Sequence, residues 1–254
     1  MLSEPESGVK PTAILSALAE EQRGLIALLG RPVCVRYAGR DFWCGQLFGQ
    51  PVVLALSRIG KVAAATTAAA LIERFGVARI VFTGVAGGLG DGVQVGDIVV
   101  ADRFVQHDMD ASPLFPRFEI PLYGQTVFAA DADLTAQLAA AATTLLVECH
   151  DGLVFPEARL HTGLIASGDR FVSGAVESAT LRASLESAGH AALAVEMEGA
   201  AVALVCLDHA IPFAAVRTIS DRADDTAHVD FPKFVKDVAS QYARAIVERF
   251  LRLG

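Results

Sequence analysis

RIVFTGVAGGLG, residues 79–90, is an apolar strand that runs into glycines, and the segment after it decides the fold. A dinucleotide-binding turn would carry Gly-x-Gly-x-x-Gly and open into a helix. No set of glycines within 84–92 has that spacing, and the next segment, VGDIVVADRFVQHD (95–108), reads as a second strand. A Walker-type loop is excluded as well, because no Gly-Lys-Ser/Thr closes the stretch. What remains for these glycines is tight backbone packing beside a small ligand.

On both sides of this stretch, strands and helices alternate. Upstream lie a short apolar strand, TAILSAL (12–18), a helix, AEEQRGLIALLG (19–30), and three short strands within 32–57. GKVAAATTAAALIERFG (60–76) is an Ala-rich helix stopped by Gly76. Downstream, ASPLFPRFEIPLYGQTVF (111–128) carries three prolines and four aromatics and is expected to be irregular. A helix over 133–149, a strand over 160–169 and a helix over 176–189 come next. The apolar stretch 192–210, a strand over 212–221 and an amphipathic helix over 231–251 complete the chain. No linker divides this series. It predicts one α/β domain over 12–254, a three-layer α/β/α sandwich with a mixed, largely parallel sheet, after a disordered lead over 1–11.

The whole-chain numbers fit that expectation. Of 254 residues, 53% are apolar, enough for a large core, and the formal net charge is -8. No basic stripe exists to displace counterions from a nucleic acid. No segment reads as membrane-spanning or as a signal peptide, so a cytoplasmic protein is expected. The cysteines, Cys34, Cys44, Cys149 and Cys206, show no paired spacing and read as reduced, buried thiols. The histidines show no ligand spacing, so neither a metal nor a cofactor is expected.

In open α/β sheets, ligands bind beyond the carboxyl ends of the strands. Four such ends carry chemistry here: 17–21, 83–90, 167–174 and 217–225, joined by VEMEG at 195–199. Each acid has an ordinary explanation. Glu20 and Glu21 suit a helix N-terminus, Asp221 suits a turn, and either Glu196 or Glu198 suits a solvated helix start. Phe171 is better explained by a core than by stacking on a flat ring. Together, however, Glu21, Glu198 and Asp221 would share one crevice. Three carboxylates without metal ligands suit glycosidic cleavage: one acid for the leaving group, one base for water, and negative charge near an oxocarbenium-like sugar.

At these positions the sequence resembles the 5'-methylthioadenosine/S-adenosylhomocysteine nucleosidases of the nucleoside phosphorylase superfamily. The matching pieces are AILSALAEE (13–21), SRIGKVAAA (57–65), TGVAGGL (83–89), VGDIVVAD (95–102), QHDMD (106–110), GLIASGDRFV (163–172), AVEMEGAA (194–201) and VRTISDRAD (216–224). They occur in the family's order over nearly the whole chain past residue 12. The resemblance implies that Glu21 is the base that activates water, and that Asp221, positioned by Ser220, protonates N7 of adenine. It implies that Met197 and Glu198 contact the ribose and that Phe171 and Val172 read the base. Leu18, Ile59 and Phe231 would wall the 5'-alkylthio pocket, while Glu196 keeps its role at a helix start. Val85 departs from the pattern, since many relatives have Ser there. Loop 111–124 departs too; in the family this region reaches a neighbouring subunit.

The expected function is therefore release of adenine from methylthioadenosine or adenosylhomocysteine by water. A homodimer is expected through the apolar loop 111–124, with no nucleic-acid or membrane partner. A phosphorylase, or a hydrolase of another nucleoside such as a futalosine-type compound, is the first alternative, with Arg58 and Arg217 as available cations. A nucleoside-binding relative without catalysis is the second.

Overall fold

Strand β5 (Arg79–Gly88) is the longest strand, and its changing partners set the topology. The structure is a computed structural model and describes residues 9–148, 155–224, 227, 231 and 234–253. Most of the expected N-terminal lead (1–8), Cys149 and residues 232–233 of the last expected helix lie outside the described residues.

One edge of β5 pairs in parallel with β1 (Thr12–Ser16), from Thr12 opposite Arg79 to Leu15 opposite Phe82. The same edge then pairs antiparallel with β9 (Ala192–Glu196), at Gly87 and Gly88. Among the described residues, no strand pairs that edge over 83–86. The other edge pairs in parallel with β10 (Phe213–Asp221) almost throughout.

Outward from β1, the sheet continues through β4 (Gln50–Leu56), β3 (Arg40–Leu47) and β2 (Gly30–Tyr37), the last three as an antiparallel meander. From β9 it runs to β8 (Leu160–Ser167), then β6 (Ile98–Gln106), and back to β10. A short strand, β7 (Val127–Ala129), adds to β6. Because β10 pairs with both β6 and β5, the strands β5, β9, β8, β6 and β10 close into a barrel. This corrects the expected open sandwich. Register shifts at Ile219/Asp221, Ala101/Arg103 and Leu164/Ile165 mark the irregularities that bend strands and help a twisted sheet curl shut. The sheet is mixed, as expected: antiparallel and parallel strand pairs are equal in number among the described residues, and the parallel ones cover more residues.

Helices cover both faces of the sheet. On one face, α2 (Lys61–Phe75) packs against α5 (Gly199–Asp208). Gly76 ends α2 at φ +61 and caps the carbonyls of Leu71 and Ile72, a position that suits glycine. Nearly every residue of α5 is small or apolar, and its first five residues are all buried. The other face carries α1 (Ala19–Ile26), α3 (Ala132–Glu148) and α6 (Ser240–Leu253), the last preceded by a π-helical turn at Val235–Ala239. Tyr242, Ala243, Ile246, Val247 and Phe250 form the buried stripe of α6 at three- and four-residue spacing. α4 (Ala175–Ser187) buries Leu185 in a third, smaller apolar cluster.

Loop 111–124 is irregular, as expected. Phe118 and Ile120 are buried in the chain itself, whereas Leu114 is 84% exposed and Leu122 93%. The Tyr123 hydroxyl donates to Asp208 at 2.9 Å and holds the loop to the end of α5. Of the cysteines, Cys206 is buried and Cys44 half-buried, but Cys34 is exposed because β2 is an edge strand. The expectation of four buried thiols fails there.

Candidate active site

The unpaired edge of β5 is where the site forms. Glu21 stands in the first turn of α1, and its carboxylate fills that gap. Oε2 accepts the amides of Ala17 (2.9 Å) and Leu18 (3.0 Å), and Oε1 accepts the amide of Val85 at 3.2 Å. The contact to Leu18 is the acidic half of a capping box, which explains an acid three residues into the helix. A Cβ added at Gly84 would stand 3.1 Å from Oε1, so glycine there is room for the carboxylate. Glu21 is 1% exposed, and burial pushes its carboxyl up to about 7 against the pull of these amides and Arg217. An isolated Glu would be fully ionised at neutral pH; this one is not.

Asp221 ends β10, on the opposite edge of β5, and is 1% exposed. Its Oδ2 accepts the Ser220 hydroxyl at 2.8 Å and Oδ1 accepts the Ala223 amide at 2.8 Å. The Ser220 Oγ also lies 3.3 Å from the Ala86 carbonyl. A Cβ at Gly87 would stand 3.0 Å from Asp221 Oδ1, so two glycines of one strand each make space for one carboxylate.

The VEMEG stretch supplies two acids with different surroundings. Glu198 is the N-cap of α5, yet its side chain makes no capping bond. Oε1 instead accepts the Gly60 amide at 2.8 Å, beside the start of α2. Burial, and next the charge of Glu196, push the Glu198 carboxyl upward. Glu196 is not at a solvated helix start, which corrects that expectation. It is 7% exposed and accepts Arg217 Nη2 at 2.8 Å, the Ser167 hydroxyl and the Gly199 amide. Arg217 is 1% exposed, donates to the Phe82 carbonyl at 3.0 Å and lies over the Phe82 ring. It is therefore a bound cation and not an available one. Arg58 donates to the Gly39 carbonyl, on a separate cleft lined by Arg36, Arg40 and Trp43.

Leu18, Glu21, Ile59, Phe171, Met197, Glu198, Asp221 and Phe231 line a single cleft, together with Val85, Ala86, Gly87 and Glu196. Ile59 (57% exposed) and Phe171 (42%) stand at its rim, and the Phe171 ring meets Phe231 edge to face at 5.4 Å. Val172, buried, lines a narrower adjoining recess with Arg170 and Phe171. Ser220 stands behind Asp221 and not on the cleft wall. A larger cleft, near Asp97 and Phe155, opens at the N-terminal ends of β6 and β8, and its buried acid is already bonded to Gln94, Arg159 and His161. It is the wrong end of the sheet for catalysis, since the carboxyl ends of the strands and the acids with open faces are at the other end. Among the described residues, no group of His, Cys, Asp and Glu converges as a metal site.

Several partners were not legible in the sequence. The Gly60, Ala17 and Val85 amides carry no side-chain signal at all. The Glu196–Arg217 pair spans 21 residues, and only its neighbourhood to Glu198 hinted at it.

The profile of the phosphorylase superfamily matches residues 11–252, so this barrel-closed α/β fold and its buried carboxylate crevice are those of a member of that superfamily. The 5'-methylthioadenosine/S-adenosylhomocysteine nucleosidase of Shewanella denitrificans is 34% identical over 92% of this chain and 96% of its own. The nucleosidase of that name from Neisseria meningitidis, solved with methylthio-immucillin-A, superposes with a TM-score of 0.86 at 33% identity, over 97% of this chain and 100% of its own. That of Colwellia psychrerythraea, solved with adenine, gives 0.85 at 33% identity, over 96% and 95%. The chain belongs to the 5'-methylthioadenosine/S-adenosylhomocysteine nucleosidase family.

Proposed function

We propose that this protein hydrolyses the N-glycosidic bond of 5'-methylthioadenosine and S-adenosylhomocysteine, releasing adenine and a 5-thioribose sugar. Glu21 takes a proton from water as the oxygen attacks the anomeric carbon. Asp221 delivers a proton to N7, so that adenine leaves as a neutral base. Glu198 accepts the ribose hydroxyls beside Met197, and in its ionised form it favours the oxocarbenium-like sugar. Phe171 stacks on the base, the Val172 backbone reads its edge, and Leu18, Ile59 and Phe231 enclose the alkylthio group. No cofactor or metal takes part.

The observation that carries this proposal is the acid at the nucleophile's position, which accepts water's proton and repels an anion once ionised. A buried carboxylate, Glu21, stands there, and neither nearby arginine is free to hold an anion. Arg217 is committed to Glu196, and Arg58 turns to Gly39. A phosphate dianion would be repelled in a poorly screened cleft, which disfavours a phosphorylase. Glu21, Glu198 and Asp221, all buried on one crevice, disfavour a relative that only binds. Substrate choice is tested by following adenine release from methylthioadenosine, adenosylhomocysteine, 5'-deoxyadenosine and a futalosine-type nucleoside. Release from the first two supports the proposal; turnover confined to the last, or binding without turnover, overturns it.

The protein is proposed to work as a homodimer in the cytoplasm. Leu114 and Leu122 leave apolar surface on loop 111–124 that a second copy would cover. A monomeric mass by light scattering at micromolar concentration, with full activity, would remove that part. No helix among the described residues is long and apolar enough to cross a membrane.

A further inference from the structure

Three segments distant in sequence meet just outside the cleft. The first is the start of α2, Gly60–Lys61. The second is the end of β6, Gln106–Asp108. The third is the turn after β8, Gly168–Asp169, which leads directly into Phe171 and Val172. Their polar groups bond to one another in a closed circuit. The Lys61 amide donates to Asp169 Oδ1 at 2.7 Å, the Asp169 amide donates to Asp108 Oδ2 at 2.9 Å, and Lys61 Nζ donates to Asp108 Oδ1 and to Gln106 Oε1. Burial pushes the Asp108 carboxyl up, but the Lys61 ammonium and the Asp169 amide outweigh it, and the group is held below its usual range.

Two close approaches fix the circuit in place. Gly60 has φ +95, a conformation that disfavours side chains, and a Cβ there would stand 3.0 Å from Asp169 Oδ1. Gly168 lies against the buried His107 ring, where a Cβ would stand 2.3 Å from Nε2. The circuit is therefore closely packed as well as bonded.

Its consequence lies within three residues on each side. Gly60, held by the Lys61–Asp169 bond, gives its own amide to Glu198. Asp169, held by Asp108, sets the path of the chain toward Phe171 and Val172. We propose that Lys61, Asp108 and Asp169 form a clasp that positions Glu198 for the sugar and the 171–172 segment for the base, in one rigid relation. They are positioning residues that never touch substrate. The proposal rests on the nucleoside reading of the cleft. It deepens that reading by making the distance between sugar contact and base contact a property of the clasp.

The clasp acts on binding more than on chemistry, since Glu21 and Asp221 lie on other segments. Asp169→Ala removes the acceptor of the Lys61 amide. We expect KM for methylthioadenosine to rise about tenfold or more, with kcat within about threefold, because a charge-assisted hydrogen bond is lost while the reacting groups stay in place. Freed from the Gly60 amide, Glu198 holds its proton to higher pH, so the acid limb of kcat/KM moves up. Asp169→Asn keeps an accepting oxygen and restores most of the loss. Lys61→Met, which cuts only the links to Asp108 and Gln106, shows the same direction and covers the case in which Asp169→Ala does not fold. A merely structural role would lower the melting temperature without splitting KM from kcat, and Asn rescue would not track KM. An unchanged KM and pH profile in both Asp169→Ala and Lys61→Met overturns the clasp. If the wild type releases no adenine, the substrate reading fails separately. The clasp is then judged by amide hydrogen exchange at Gly60 and Lys61, which must quicken in Asp169→Ala.

Discussion

Arg217 donates to Glu196 at 2.8 Å, with side chains 2% and 3% exposed, directly beneath the crevice that holds Glu198. A buried pair of this kind adds little net stability when whole, because desolvation offsets its attraction. Its role here is to neutralise charge beneath two further carboxylates and to keep a guanidinium out of the cleft.

Breaking the pair should be costly. Arg217→Met leaves Glu196 buried and uncompensated, which typically destabilises by about 3–5 kcal/mol. Urea unfolding should show that loss, and Arg217→Met with Glu196→Gln should recover much of it. A single variant within about 1 kcal/mol of wild type would mean that the pair is solvated in solution.

Glu21 ties stability and activity to pH in opposite senses. Its carboxyl titrates at about 7 in the fold, with burial as the main cause, against an ordinary 4.5. The folded state therefore binds the proton more tightly than the unfolded state. That contribution, on the order of 3 kcal/mol, is fully present below about pH 4.5 and is lost as pH rises through about 7. Glu198 shifts in the same direction. Glu21→Gln should flatten the fall in unfolding free energy between pH 5 and 8. Activity needs the ionised base, so kcat/KM should rise with pH through an acid limb near 7. A limb near 4 would place the base elsewhere or the carboxylate in water.

Gly84 and Gly87 should tolerate no side chain. An added methyl would meet Glu21 Oε1 at 3.1 Å in one case and Asp221 Oδ1 at 3.0 Å in the other. Displacing a reacting group by a fraction of an ångström to 1 Å is worth up to about 10²-fold. Gly84→Ala and Gly87→Ala are each expected to lose on the order of 10- to 100-fold in kcat while keeping a cooperative unfolding transition. Full activity in both would show that the carboxylates adjust freely.

Asp221 is proposed to supply the proton that adenine takes on leaving, and Asp221→Asn removes it. A positioned acid contributes about 10²–10⁴-fold, and the loss in kcat should fall in that range while the variant still binds adenine. Turnover like that of the wild type in the folded variant would take Asp221 out of the mechanism.

The fold was legible in the sequence wherever burial writes itself into residue spacing. Alternating strand and helix periods located nearly every element for that reason. Barrel closure was not legible, because it depends on β10 finding two partners and on β9, five residues long and merged in sequence with α5. Glu21, Glu198 and Asp221 stood out as acids at strand ends. Glu196 did not, because an acid's burial is set by its partner, and Arg217 reaches it only across the folded barrel. The glycines of β5 were visible, but their reason, space for Glu21 and Asp221, is a property of three dimensions.

The central claim is that water, not phosphate, attacks the sugar. It is tested by measuring adenine release from methylthioadenosine in phosphate-free buffer and in phosphate at matched ionic strength, with the sugar product identified. Equal rates and free 5-methylthioribose are predicted, because Glu21 is proposed to hold the attacking water and Arg217 is bound to Glu196. Strict dependence on phosphate, with a ribose 1-phosphate product, would contradict the role given to Glu21.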